Sequence, residues 1–143
     1  MEVKIKKLTD NAVIPAYAKP GDAGADIVAT SYEYDAGHDL HIYHTGLAFE
    51  VPEGYVMLIF PRSSNTKKDC YLPNSVGVLD SGYRGELTFR WKNRDRSMID
   101  KPYDVGDKIG QIIIIPYPNI EFTECDELSE TERGTGGFGS TGR

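Results

Sequence analysis

The chain has 143 residues and a formal net charge of −6, from 22 acidic and 16 basic side chains. This length predicts one domain, because a chain of this size buries roughly 68% of its unfolded surface around a single core. The acidic balance argues against non-specific nucleic-acid binding, which depends on Lys and Arg side chains neutralising phosphates. No apolar run reaches the length of a membrane span, and no apolar signal segment follows Met1.

Short apolar or alternating runs predict β-strands along the first half of the chain. Residues 3–6 alternate as Val-Lys-Ile-Lys, which is typical of an edge strand whose lysines face water. Residues 55–60 are apolar on both faces, which predicts a buried strand. Residues 61–73 are irregular and have room for one helical turn. Further strands are predicted at residues 25–29, 40–43 and 45–51.

A β-hairpin is predicted in the middle of the chain, where apolar runs at residues 76–79 and 87–89 flank a short polar connection. An acidic residue and a glycine that bracket such a connection between β-prone runs are a hairpin signal. The connection, residues 80–85, also carries a carboxylate, a phenol and a guanidinium, which are functional groups that a turn does not require. We therefore expect Asp80 and Tyr83 to face a ligand.

The rest of the central region also predicts strands. Leu87, Phe89 and Trp91 alternate with polar residues, which predicts a half-buried strand. Residues 111–115 predict a fully buried strand that Pro116 ends. No window of ten or more residues shows a helical apolar stripe, and turn signals recur every 8 to 12 residues or so, at roughly the spacing of β-sandwiches and β-barrels. The predicted fold class is therefore all-β, either a sandwich or a barrel.

The composition changes after residue 120. Residues 121–132 are strongly acidic and indicate a solvated connector, so the packed domain is expected to comprise residues 1–120. The last segment, residues 133–143, contains five glycines and cannot hold one conformation unaided. It is expected to form a mobile arm outside the packed domain.

The arm has the spacing Gly134-x-Gly136-x-x-Gly139, which formally matches a dinucleotide-binding fingerprint. That fingerprint needs a following helix, and only four residues follow Gly139. Converging backbone N–H groups, together with Arg133, instead favour a phosphate cradle. Phe138 would then stack on a base, a contact worth about 1–3 kcal/mol. Composition alone leaves the alternative of a disordered tail with an incidental Phe138.

Other polar residues have both a functional and a structural interpretation. Arg62, Ser63 and Ser64 follow a predicted strand and suit an anion, but taken in isolation the pattern favours Arg62 in a structural ion pair with a capped turn. Asp26 lies within a short apolar strand, so its carboxylate must be paired, associated with a metal or on the solvent face. The solvent face is the default expectation.

The cysteines and histidines predict no metal site. Cys70 and Cys125 have no zinc or redox spacing, which favours two free thiols in a reducing compartment, and we expect cytoplasmic localisation. The three histidines would need one helical face to converge, whereas the predicted strand places the middle one opposite the others. These residues are His38, His41 and His44.

The order of the signals is more specific than any one of them. The chain resembles the homotrimeric dUTPase family in five motifs, in the family's order and approximate spacing. The resemblance implies a jelly-roll-like distorted β-barrel, a homotrimer with shared active sites, and Mg²⁺-dependent hydrolysis of dUTP to dUMP and pyrophosphate. It implies no nucleic-acid or membrane partner. The matching motifs are residues 21–26, 61–64, 77–85, 106–111 and 133–142.

The resemblance also implies roles for individual residues. Asp80 matches the carboxylate that activates the attacking water, and Tyr83 matches the ring that packs on deoxyribose and excludes a 2′-hydroxyl. Asp26 matches the acid that holds the metal's water shell, and Phe138 matches the uracil stack of the arm. Uracil would be read by Asn74 with backbone groups of Val78 and Leu79. The phosphates would be bound by Arg62, Ser63, Ser64, Gln111, Arg133, Gly139 and Ser140.

Two positions depart from the family pattern, and two other readings stay open. Gly110 stands where alanine is usual, and Gly82 stands where a second acid is often found; neither is expected to affect the chemistry. One alternative is an enzyme related to dCTP deaminase. The other is a dUTP-binding regulatory protein, for which residues 93–103 are the place to look for a partner-binding insertion.

Overall fold

The computed structural model describes residues 1–95, 97 and 99–139, which form two antiparallel β-sheets. Among these residues no helix is long and apolar enough to cross a membrane. One short 3₁₀ helix spans Ser63–Lys67. The strands are β1 (Lys4–Lys7), β2 (Ala25–Val28), β3 (Ser31–Asp35), β4 (Leu40–Glu50), β5 (Tyr55–Phe60), β6 (Cys70–Tyr71), β7 (Gly77–Leu79), β8 (Glu86–Asn93) and β9 (Lys108–Pro116).

The first sheet is built around the long strand β4. Strand β8 pairs with one edge of β4, while β3 and β1 pair with the two ends of its other edge. Strand β6 extends the sheet beyond β8. The register between β4 and β8 shifts between His44 and Ala48, so β4 bulges there. This bulge lies beside the start of β8, where the residue 80–85 connection enters the sheet.

The second sheet has the order β2-β9-β5-β7. Its inner face packs against the first sheet, and side chains of both sheets form one hydrophobic cluster. The largest fully buried side chains include Trp91, Tyr43 and Phe89 from the first sheet and Ile27 from the second. The described chain is almost entirely β, which confirms the all-β prediction and fits a jelly-roll-like architecture.

Close approach of the two sheets explains the glycine at position 110. A Cβ atom built on Gly110 would overlap the ring of Phe89, which is buried in the opposite sheet. Gly110 therefore lets β9 pack directly on an aromatic ring. The sequence suggested only a tolerated packing change at this position, whereas the structure gives the glycine a specific steric reason.

Several local predictions are corrected by the fold. The predicted hairpin is wrong, because β7 pairs with β5 in the second sheet while β8 pairs with β4 and β6 in the first. Strand β3 was not predicted, and residues 40–50 form one strand rather than two. Strands β5 and β9 are only partly buried, because their outer face is uncovered in a single chain.

The three histidines lie in different environments. His38 is exposed in the turn before β4, and His41 is fully buried beside the hydroxyl of Tyr32, 3.0 Å from its Nδ1. His44 is partly buried and donates a hydrogen bond to the carboxylate of Glu86. Each ring therefore has its own local partner.

Candidate active site

The connection at residues 80–85 crosses from one sheet to the other. Its turn is closed by a hydrogen bond from Tyr83 N–H to the Asp80 carbonyl (3.1 Å), and the Arg84 guanidinium donates to the Ser81 carbonyl at 2.6 Å. Asp80 follows the buried Leu79 and is exposed. The crossing therefore presents Asp80 at the edge between the two sheets rather than at the tip of a hairpin.

A cavity of about 190 Å³ lies at this edge. Tyr83 is half-exposed at its rim, and its hydroxyl donates to the Glu86 carbonyl at 3.2 Å. A Cβ on Gly85 would overlap the phenol, so only glycine lets the ring lie this close to the backbone. The residues that line the cavity are Ile59, Val78, Leu79, Asp80, Tyr83, Glu86, Leu87 and Thr88.

A second cavity of about 300 Å³ contains Asn74 and shares Ile59 and Thr88 with the first. A Cβ on Gly77 would come within 2.9 Å of the Ile59 Cβ, so this glycine permits the close approach of β7 to β5. The fold thus brings Asn74 and the backbone of β7 next to the cavity that holds Asp80 and Tyr83. The sequence analysis assigned these residues to one binding site, and in the structure they line two adjoining cavities.

Asp26 belongs to a different cluster, with two cations. The Arg62 Nε donates to Asp26 Oδ1 at 2.7 Å, and the Lys108 Nζ donates to Oδ2 at 2.8 Å. The Asp26 side chain is only 14% exposed, so the default expectation of a solvent-facing carboxylate is wrong. Burial would raise the pKa of Asp26, but hydrogen bonds and charges from Lys108 and Arg62 outweigh it and hold that pKa below its ordinary value.

Two other predicted phosphate-binding residues, Gln111 and Ser64, lie beside this cluster. Gln111 lies opposite Asp26 in the β2–β9 register, and its Nε2 donates to the Pro61 carbonyl at 2.9 Å. The Ser64 hydroxyl lies 3.4 Å from the Arg62 guanidinium. A cavity of about 380 Å³ opens here between Arg62, Ser64, Lys68, Tyr103, Gly106, Asp107 and Lys108.

A partly buried amide, that of Asn65, holds the turn that carries Arg62 and Ser64. The Asn65 Oδ1 accepts hydrogen bonds from the Tyr103 hydroxyl (2.9 Å) and the Cys70 thiol (3.1 Å), and its Nδ2 donates to the Cys70 carbonyl. Burial raises the pKa of Cys70 to about 11, which keeps the thiol protonated and able to donate. Both cysteines are free, as predicted.

Sequence reasoning missed Lys108, Glu86, Asn65 and Tyr103. Lys108 and Glu86 lie within or beside recognised motifs, so their position was an available signal. Asn65 likewise follows the motif at residues 61–64, but its contact with Tyr103, 38 residues away, exists only after folding and gave no signal.

The described residues do not form a metal cage by themselves: they include no group of three or more His, Cys, Asp or Glu side chains arranged around one point. Both oxygens of Asp26 already accept hydrogen bonds from cations. Each carboxylate oxygen still has a further acceptor position. Asp26 could therefore hold a hydrated divalent cation through the waters of that ion, with its remaining ligands supplied by bound phosphate groups.

The two clusters are well separated within one chain. Leu79 pairs with Met57 between β7 and β5, so Asp80 lies beside residue 56. Asp26 pairs with Gln111 between β2 and β9, and Gln111 pairs with Phe60 between β9 and β5, so Asp26 lies at the level of Phe60. The offset is four residues along the strands and three strand spacings across the sheet. This corresponds to about 20 Å between the two backbones.

The described part of the arm makes local contacts. The Arg133 Nε donates to the Gly136 carbonyl at 2.9 Å, and the Phe138 side chain is fully exposed. Gly139 has a positive φ of 90°. Residues 121–132 contain no strand and are exposed. The predicted phosphate donor Ser140 lies outside the described residues.

The chain is similar to known proteins over nearly its whole length. The dUTPase family model matches residues 10–142. A deoxyuridine 5′-triphosphate nucleotidohydrolase of Leifsonia xyli is 42% identical over 90% of this chain and 85% of its own length. One from Nautilia profundicola is 39% identical over the full length of both chains.

Solved structures show the same fold. A G164S variant of the dUTPase of Staphylococcus bacteriophage 80alpha, determined with dUpNHpp, has a TM-score of 0.82 and 28% identity, covering 99% of both chains. A variant dUTPase from phage phi11 of S. aureus, described with a structural Mg(II) ion, has a TM-score of 0.73 and 26% identity over 90% of this chain and 99% of its own. With five motifs in order, a family model spanning nearly the whole length and relatives near 40% identity, this chain belongs to the dUTPase family.

Proposed function

We propose that this protein hydrolyses dUTP to dUMP and pyrophosphate, and so keeps uracil out of DNA and supplies dUMP for thymidylate synthesis. One observation carries the proposal: Asp80, Tyr83 and the backbone of Val78 and Leu79 surround one cavity that adjoins Asn74. This arrangement offers hydrogen-bonding groups for a base, a ring for a sugar and a carboxylate for water beside one another.

The reaction needs positioning and charge stabilisation more than covalent chemistry. Asp80 holds a water in line with the leaving pyrophosphate and accepts its proton as the oxygen bonds to the α-phosphorus. The bond from that phosphorus to the pyrophosphate oxygen breaks. Mg²⁺, when bound, offsets the charge that develops on the phosphates. Asp26 would hold the waters of the ion, while Arg62 and Gln111 contact the phosphates with Ser63 and Ser64.

Substrate selection follows from the same cavity. The Tyr83 ring fills the space that a ribose 2′-hydroxyl would occupy. Asn74 and backbone groups of Val78 and Leu79 satisfy the polar edge of uracil. A site that hydrogen-bonds one base edge leaves those groups unpaired with another base, which costs affinity.

The separation of the clusters supports a homotrimer with shared sites. A triphosphate whose α-phosphorus lies beside Asp80 would have to span most of the gap of about 20 Å to reach Asp26 and Arg62 of the same chain. A neighbouring chain can bring those residues directly to the substrate. A three-fold ring uses a heterologous interface, which joins unlike surfaces of successive chains.

The outer face of the second sheet supplies an apolar surface for that interface. Its side chains alternate with core residues such as Met57 and Ile112 and remain partly exposed in one chain. Covering them with second and third copies would remove this surface from water, which is the dominant driving force for association. These residues are Val56, Leu58, Phe60, Ile113 and Ile115.

The C-terminal segments would complete the site. In this proposal residues 1–120 form the domain, residues 121–132 the connector, and residues 133–143 an arm that closes over a site. Arg133 clamps the phosphates, Gly139 and Ser140 donate to the γ-phosphate, and Phe138 stacks on uracil. The full exposure of Phe138 supports this role, because the ring is not packed in the core and closing the arm would therefore break no core contact. The protein would act in the cytoplasm.

Pyrophosphate release from dUTP, UTP, dTTP and dCTP, measured with and without EDTA, tests the activity. We expect turnover of dUTP alone, with loss of turnover in EDTA. Ammonia release from dCTP would indicate the deaminase alternative, and absence of dUTP turnover would contradict the proposal.

Mixing two inactive variants tests the shared site. Asp80→Asn and Arg62→Ala chains are each expected to lose most activity as homotrimers. After co-refolding, a site that takes Asp80 from one chain and Arg62 from another is intact in some mixed trimers, so activity returns. Activity that stays at the level of the separate variants would show that each chain uses its own pair.

A further inference from the structure

The first residue of β8, Glu86, is held by two partners on β4. Its Oε1 accepts the Gly46 N–H and its Oε2 accepts a hydrogen bond from His44 Nδ1, both at 2.8 Å. The Glu86 side chain is 26% exposed and the His44 side chain 31%. Nothing in the hydrolytic mechanism uses this carboxylate, although Glu86 lines the same cavity as Asp80.

The bulge in β4 explains why a carboxylate is needed at this position. Between His44 and Ala48 the regular β4–β8 ladder is interrupted, which leaves the Gly46 N–H without a strand partner. Glu86 replaces that partner with its own side chain. The hydrogen bond to Glu86 is also the main cause that raises the pKa of His44 above its ordinary value, so this contact favours the charged form of the ring.

Tyr83 depends on the backbone of the same residue. Its hydroxyl donates to the Glu86 carbonyl at 3.2 Å, and its ring lies against Gly85. The ring is otherwise half-exposed at the cavity rim. The contacts of the Glu86 side chain with β4 thus hold the Glu86 carbonyl in place. The position of the Tyr83 ring depends on that carbonyl.

We propose that Glu86, clamped by His44 and the Gly46 amide, is a positioning residue that holds Tyr83 over the sugar site and sets the discrimination between deoxyribo- and ribonucleotides. This inference rests on the proposed sugar contact of Tyr83. Loss of the clamp frees the end of the connection, and the ring then admits a 2′-hydroxyl more readily. Turnover of dUTP changes less, because Asp80 is held separately by β7 and by the turn bond to Tyr83.

The measured quantity is the ratio of kcat/KM for dUTP to kcat/KM for UTP. Glu86→Ala is expected to lower this ratio about tenfold, within the range of couplings between residues in contact. Glu86→Gln keeps an oxygen for the Gly46 N–H and an amide group that can donate to a neutral His44 ring, so it should retain most of the ratio. Glu33→Gln is the matched control, because Glu33 lies 3.5 Å from the other nitrogen of His44 but not at the connection. It should leave the ratio unchanged.

A double variant separates failure of the clamp from failure of the sugar contact. In the Tyr83→Ala background, Glu86→Ala should lower the ratio no further, because the ring that it positions is gone. If Tyr83→Ala lowers the ratio and Glu86→Ala does not, the clamp is refuted and the sugar contact stands. If Tyr83→Ala itself leaves the ratio unchanged, the sugar contact fails and the clamp with it. Should Glu86→Ala not fold, His44→Ala removes one of the two donors that clamp the Glu86 carboxylate and must lower the ratio.

Discussion

Gly110→Ala offers a direct test of how closely the two sheets pack. The new methyl group would overlap the ring of Phe89, a buried side chain that contacts both sheets' core residues. Overpacking of this kind costs about 1–3 kcal/mol. Replacing glycine by alanine inside a strand stabilises the folded protein by about 0.5–1 kcal/mol, because alanine loses less backbone entropy on folding. The net expectation is destabilisation by about 1–2 kcal/mol.

Thermal unfolding at fixed protein concentration measures this difference. For a chain of this length, 1 kcal/mol corresponds to about 2–4 °C, so Tm should fall by about 2–8 °C. Gly82→Ala is the control, because a Cβ there meets nothing within 4 Å. It should leave Tm unchanged or slightly higher.

A compensating variant identifies the ring as the cause. Phe89→Leu alone should destabilise the protein by leaving a cavity, whereas Gly110→Ala combined with Phe89→Leu should cost less than the sum of the two changes. A Tm for Gly110→Ala equal to or above that of the parent chain would refute the steric account of this glycine.

Three further outcomes are expected. Asp80→Asn should retain dUTP binding, measured calorimetrically, but lower kcat by about 100-fold or more, and unchanged turnover would exclude Asp80 as the base. Deleting residues 133–143 should leave a folded trimer by sedimentation with little activity, and full activity would refute the closing arm. Asp26 has a folded-state pKa below its unfolded value, so its ion pairs add stability that is present above pH 3.8 and lost as the pH falls through the folded pKa. The difference in unfolding free energy between the parent chain and Asp26→Asn should therefore be larger at pH 7 than at pH 3 in urea titrations, and a pH-independent difference would contradict the pairing.

The alternation of apolar and polar residues, together with turn residues, predicted most strands, because both signals are local and can be read from neighbouring residues. Leu87, Phe89 and Trp91 are buried as their spacing indicated. The prediction for β5 and β9 was less successful. Their apolar outer residues indicated burial, yet a single chain leaves that face uncovered, so the local apolar pattern did not distinguish it from a core face.

The sequence alone determined the family and the all-β class, and it supplied the residues that are proposed to bind a deoxynucleotide. It did so because motif order and residue type are properties of the linear chain. Only the tertiary structure decided that residues 80–85 cross between two sheets, that Asp26 is shared by Arg62 and Lys108, and that Asp80 lies far from both. The physical reason is that strand partners are chosen by packing between segments distant in sequence, which no local pattern encodes.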